Sequence, residues 1–275
     1  MRHLWLAAAT DILESLRAKW FLVYTLVFGG LMVMLFVFGV TESRVMGFTG
    51  LSRLLVTYIQ LAMAILPLFV LVTTVRSVAG DREAGVFEYL LSLPIGLAAW
   101  YWGKLAGRFL VVFVPVLLAL ALALGWGMVR GAEIPWGLFA YYTALLMVLA
   151  WCFLGIGMLV STLARSSDVA QGAAFVVWLG LLLFLDLILL GVMVRQSLPP
   201  ETAVAIALAN PLQVFRTASM MLFDPQLVLL GPTAYLILDH FGQVGYMTYA
   251  LVYPWTLGTL FASLGYLWFK RGDLP

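Results

Sequence analysis

The chain has 275 residues, 64% of them hydrophobic and 10% charged, with a mean hydropathy of +1.06. Soluble domains run about 45–50% apolar, so this composition excludes an ordinary water-soluble domain. The net charge of +2 comes from basic residues scattered over loops, which excludes a nucleic-acid-binding patch, and the single cysteine, Cys152, permits neither an internal disulfide nor a thiolate metal cluster.

Residues 1–20 form an amphipathic helix. Trp5, Ala9, Ile12, Leu13, Leu16 and Trp20 fall on one face, and Thr10, Asp11, Glu14 and Arg17 on the other. Such a helix lies in the membrane interface with its apolar side down, or else packs on the protein as a solvated helix. Trp5 and Trp20 favour the interface, because indole rings prefer the headgroup level. The first apolar run is too short, and followed too soon by acids, for a cleaved signal peptide.

Charge-free runs long enough to cross a bilayer then recur. Spans are expected at 21–40, 54–75, 109–129, 136–163, 169–194 and 246–269. Lys104 and Arg108 mark the entry of the third, beside an interfacial belt of Trp100, Tyr101 and Trp102. Gly155, Gly157 and Ser161 on the fourth read as close helix packing. Tyr253-Pro254-Trp255 is expected to kink the last. Segment 195–245 breaks the pattern. Its two charge-free runs, 202–215 and 225–238, are too short to span, and prolines punctuate them. This reads as an outer or half-inserted hairpin.

The densest charge lies between spans two and three, in a coupling region at 76–104. Asp81, Arg82, Glu83 and Glu88 fall within eight residues. Phe87, Leu90 and Leu91 recur at helical spacing, Asp81 is placed to cap the start, and Pro94 ends the pattern. A short charged helix strung between spans suits docking to something outside the bilayer. A second polar interruption, Arg165 to Asp168, lies between spans four and five. With the amino terminus inside, ten lysines and arginines fall on the inner side and five on the outer, which places both polar interruptions and both termini in the cytoplasm.

No phosphate-binding G-x-x-x-x-G-K-[ST] motif is present, so any ATP-driven motor belongs to another chain. Asp186 is the one acid within a span, roughly 12 Å below the outer end at 1.5 Å per residue. It belongs to a transport path or dimer seam, or else plays a protonated or hydrogen-bonded structural part. Methionine is a soft ligand suited to Cu(I), but in so apolar a chain it is also an ordinary filler. No metal site is assigned; Met220, Met221, Asp239 and His240 are the residues that come nearest. An intramembrane enzyme would need paired catalytic groups within the spans, and a channel a continuous polar face; Gln60, Gln171 and Asp186 supply neither.

The stretch Asp-Arg-Glu-Ala-Gly-Val-Phe-Glu-Tyr-Leu-Leu-Ser-Leu-Pro-Ile (81–95), with Gly-Lys at 103–104, resembles the first coupling region of ABC-2 type permeases. There an E-R-E-x-G-T-x-E-x-L-L-S-x-P pattern follows span two. Asp81 and Val86 are mild departures from it. The resemblance implies an all-α integral membrane protein with an elbow helix, six spans, a cytoplasmic coupling helix and a re-entrant outer pair before the last span. It also implies a non-catalytic half-transporter that dimerises with a second copy of itself in membrane lipid and binds a cytoplasmic ATPase subunit, on which ATP and Mg reside. The coupling role then falls on Asp81, Arg82, Glu83, Gly85, Phe87 and Glu88, and on Arg165 and Asp168 as a second ATPase-facing loop.

The Asp-Arg-Glu-Ala-Gly start, the Leu-Ser-Leu-Pro-Ile ending, the length and the long outer segment with Asn210-Pro211 are similar to those family members that serve copper–sulfur centre assembly of nitrous oxide reductase. That likeness implies a further partner, a periplasmic β-helix protein. An exporter of lipid, drug or polysaccharide is the alternative within the family, and a passive scaffold or channel the alternative outside it.

Overall fold

The computed structural model describes residues 2–17, 23, 26–27, 29–30, 48–87, 96–129, 136–184, 200–223 and 232–271. Every regular element among them is helical: α1 (Arg2–Arg17), α2 (Phe48–Thr74), α3 (Arg76–Glu83), α4 (Leu97–Val129), α5 (Trp136–Leu163), α6 (Ser167–Leu179), α7 (Pro200–Ala209), α8 (Pro211–Phe223) and α9 (Pro232–Arg271). A π-helical turn, Gly180–Phe184, extends α6. Three stretches among these residues are long and apolar enough to cross a membrane: Ile59–Glu83, Leu97–Leu122 and Trp136–Leu163. They overlap the second, third and fourth expected spans. Most of the first, at 21–40, and the end of the fifth, including Asp186, lie outside the described residues, as does Glu88.

The core lies around α5, which is buried along most of its length. It packs against α9 along its longest seam, and against α2, α4 and α8 elsewhere. Helix α8 carries Leu212, Val214, Phe215 and Ala218 fully into this core. That explains why the segment before the last helix is apolar yet too short to span: it fills space between longer helices.

Three features differ from the sequence reading. Lys104 and Arg108 do not precede the third span but lie within α4, because the cationic ends are paired there and a lysine or arginine stem lies readily along apolar surface. The charge-free run 202–215 is two helices, not one. Asn210 divides it: its Oδ1 accepts from the N–H of Leu212 at 3.0 Å, and Pro211 opens the next helix where no N–H is needed. In α9 the helical dihedrals break at Gly242 (φ 64°, ψ 163°), a position the sequence reading did not single out.

Helix α1 turns its apolar face, Trp5, Leu13 and Leu16, away from the other described helices, and Asp11 of its polar face packs inward. The buried stripe is Ala8, Asp11 and Ser15, while Trp5, Leu6, Leu13 and Leu16 are exposed. Close approach sets this arrangement. A Cβ added at Gly103 of α4 would fall 2.8 Å from Cβ of Ala7, and one at Gly107 would fall 2.8 Å from the carbonyl oxygen of Ala8. Glycines four residues apart let two helix backbones approach where larger side chains would separate them. Asp11 then reaches Arg108, Oδ1 to Nε at 3.0 Å, and the larger apolar side chains are left outside.

Candidate coupling site

Helix α3 has no capping side chain of its own: Val75 stands at its amino end in the α conformation, with no side-chain cap bond. The first four N–H groups of a helix lack intrahelical partners and must be satisfied otherwise. Here α5 supplies the acceptor. The Ser161 hydroxyl oxygen accepts from the backbone N–H of Val78 at 2.9 Å and of Ala79 at 3.1 Å, all of it buried.

The opposite debt is met by Arg82. Its guanidinium donates to the carbonyl oxygens of Ala164 at 2.8 Å and Thr162 at 3.3 Å, where α5 runs out of intrahelical partners. Glu83 completes the contact on the far side. Beside it lies Ser167, the first residue of α6, whose hydroxyl and backbone hold the Glu83 carboxyl below its ordinary value of 4.5. Next to it, Ser166 caps α6 by accepting from the N–H of Val169 at 3.3 Å.

Asp81 does not cap the start of this helix, because the helix begins five residues earlier at Arg76. Instead it pairs with Lys104 of α4, whose side chain is 8% exposed. The ammonium lies 5.1 Å from the centroid of the Trp100 ring, one turn back on the same helix. After Glu83 the chain leaves the helix at Ala84 and Gly85, where Gly85 takes φ 66°, a conformation that carries a penalty for any residue with a Cβ. The turn drops Phe87 into an aromatic pocket. Phe87 is 2% exposed, meets Trp100 edge-on at 5.3 Å between centroids, and lies 5.4 Å from Phe269 near the end of α9. Trp100 and Phe269 stack on each other at 5.4 Å. Burying such a ring contributes about 1.5–3 kcal/mol of transfer free energy.

The two polar interruptions of the sequence thus form one platform. Asp81, Arg82 and Phe87 are turned into the protein. Arg76, Glu83, Ala84, Gly85, Arg165 and Asp168 are exposed on it. Sequence reasoning gave Ser161 only a packing part and Lys104 only a place at the entry of span three, and Ser167 none; no local signal pairs any of them with α3.

The remaining candidates stay apart from this platform. Met220 and Met221 are buried in α8. Asp239 is exposed on α9, and His240 is the next residue of that helix. Among the described residues no group of three or more His, Cys, Asp or Glu side chains is placed to hold a metal ion.

A charged, inward-braced helix thus stands between two helices long and apolar enough to cross a membrane. The chain belongs to the ABC-2 transporter family: the family described as "ABC-2 family transporter protein" matches residues 5–274. It is therefore a multi-pass membrane protein. Among individual proteins it is similar to the probable ABC transporter permease protein NosY of Stutzerimonas stutzeri, 28% identical over 233 residues, which cover 82% of this chain and 83% of that protein. The NosY of Pseudomonas aeruginosa is 28% identical over 236 residues, covering 82% of this chain and 84% of its relative.

Proposed function

We propose that this chain is the membrane subunit of an ABC transporter and couples ATP hydrolysis on a separate cytoplasmic ATPase to transport or conformational signalling across the inner membrane. The observation that carries this is the platform itself. Arg76 and Glu83 on α3 stand beside Arg165 and Asp168 of the α5–α6 turn; α3 is braced against α5 and α4, and Phe87 just beyond it packs on α9. A push delivered there has somewhere to go.

In this reading the chain works as a homodimer with six spans and both termini in the cytoplasm. The exposed apolar side of α1, with Trp5, Leu6, Leu13 and Leu16, lies in the inner interface of the bilayer. ATP and Mg belong to the partner. The resemblance to the two NosY proteins supports a part in copper–sulfur centre assembly of nitrous oxide reductase, with a NosF-like ATPase and a NosD-like periplasmic β-helix protein as partners.

The test is an affinity pull-down of the solubilised chain from its native membrane, followed by mass spectrometry. Recovery of an ATPase together with a periplasmic β-helix protein is the expected result. An ATPase alone keeps the permease and moves the cargo to the exporter class. Absence of any ATPase ends the coupling reading.

A further inference from the structure

The braces on α3 run in both directions. Ser161 of α5 satisfies N–H groups of α3, Arg82 of α3 satisfies carbonyls at the end of α5, and Gly80 of α3 lies close against Ser167, the first residue of α6. These bonds join segments about 80 residues apart, and three of the groups involved (Ser161, Val78, Ala79) are fully buried. At the carboxyl end of α3 the chain passes through Gly85, which is exposed and at positive φ. Breaking the clasp would strand the buried N–H groups of Val78 and Ala79, whereas Gly85 is exposed to solvent.

From this we infer that Ser161 and Arg82 are positioning residues that lock α3 to the α5–α6 turn, so that the two cytoplasmic segments move as one rigid body. The inference rests on the permease reading above and goes further. A stroke received at α3 reaches α5 and α6 directly, and α4 follows through the Lys104 pair and the Phe87 pocket. Motion of this kind is a body rotation about packed interfaces rather than a tilt of one hairpin.

The test uses the complex of this chain with the ATPase that co-purifies with it. If no ATPase comes along, it is the permease reading that has failed, and this experiment is not reached. With the complex in hand, hydrogen–deuterium exchange is followed in 76–83 and in 164–172, with and without ATP and vanadate. The expected result is a nucleotide-driven change that appears in both segments together. Ser161→Ala should keep the ATPase bound and keep the change in 76–83, but lose it in 164–172. A response confined to 76–83 in the unaltered chain, or a joint response that survives Ser161→Ala, overturns the inference.

A second variant guards against misfolding of the first. A Cβ added at Gly80 lies 3.5 Å from Oγ of Ser167, so Gly80→Cys with Ser167→Cys places two thiols within reach of a disulfide. The same double variant is compared oxidised and reduced, with Cys152 buried and left in place. ATP-dependent activity that is unchanged by oxidation supports one body. Loss on oxidation, restored by reductant, shows that α3 and α6 separate during the cycle and overturns it. Where the double variant is inactive even when reduced, the exchange measurement decides.

Discussion

Lys104 of α4 pairs with Asp81 of α3 while its ammonium lies against the face of Trp100, 5.1 Å from the ring centroid. The cation is nearly out of solvent and its partner carboxylate is 24% exposed, so the pair sits between a surface bridge and a buried one. Surface pairs contribute little, but removing one member of a desolvated pair leaves the other uncompensated. Lys104→Met keeps the apolar stem and deletes the charge. The expected cost is about 2 kcal/mol, read as a lowered thermal midpoint of the detergent-solubilised protein. Asp81→Asn in the same background should then cost little more, because the two changes remove one interaction. Additive losses would show that Asp81 and Lys104 act separately.

The longest seam of the fold depends on two glycines in register. A Cβ added at Gly155 of α5 would lie 2.7 Å from the carbonyl carbon of Gly258 on α9, and one at Gly258 would lie 2.7 Å from Cα of Cys152. Those are backbone atoms, which cannot swing aside as a side-chain tip can. Gly155→Ala should therefore force the two helices apart at the centre of the core, costing roughly 1–3 kcal/mol or more. Gly172→Ala, where nothing lies within 4 Å of the added atom, is the control and should be silent. Equal midpoints for the two variants, measured in detergent, would show that the close approach does not limit packing.

These relationships mark where the sequence was legible. Hydropathy placed the fourth span at 136–163, the bounds of α5, because a charge-free run in lipid has few ways to fold other than as a helix. The charged stretch after span two was conspicuous by composition, and its first part, α3, continues the apolar stretch that begins at Ile59. What did not show was who pairs with whom. Ser161 lies 83 residues from Val78, so its capping of α3 is a tertiary fact with no local trace. The inward stripe of α1 went unread for a related reason. Hydrophobicity ranks side chains by their dislike of water, but the choice of buried stripe was decided by backbone approach at Gly103 and Gly107, which favours small residues and tolerates a paired aspartate. Asn210 looked like part of a run, since charge alone was counted and its side-chain geometry was not.

Asp11 gives a prediction about pH. Burial raises its carboxyl above the ordinary value of 3.8, and Arg108 and then Lys104 offset only part of that. A carboxyl that holds its proton more tightly when folded favours the native state most at low pH. As pH rises from 3.8 towards the raised folded value, the unfolded chain has lost its proton and the folded chain has not, so this contribution to stability declines across that window and is flat above it. Asp11→Asn should remove that decline. The measurement is the difference in thermal midpoint between the variant and the unaltered chain, followed upward from about pH 4. A difference that does not change with pH would mean the folded carboxyl titrates at its unfolded value.

Asn210 joins three elements at one corner. Its amide Nδ2 donates to the carbonyl oxygen of Leu181 in the π-helical turn at 2.8 Å, and its Oδ1 caps α8 through the N–H of Leu212. The last carbonyls of α7, those of Leu208 and Ala209, accept from the hydroxyls of Tyr249 and Tyr253 on α9, at 2.9 and 2.6 Å. A fully buried amide that satisfies both a donor and an acceptor should be costly to remove. Asn210→Ala loses the cap, worth about 1 kcal/mol, and strands the Leu181 carbonyl at about 1–3 kcal/mol. Asn210→Ser keeps an oxygen that can cap α8 but is too short to reach Leu181, so it should lose only the second share. The expected order of thermal midpoints is therefore unaltered chain, then serine, then alanine. Serine as damaging as alanine would remove the cap from the account, and two silent variants would show that the corner is held by the tyrosines and by the packing of α8 alone.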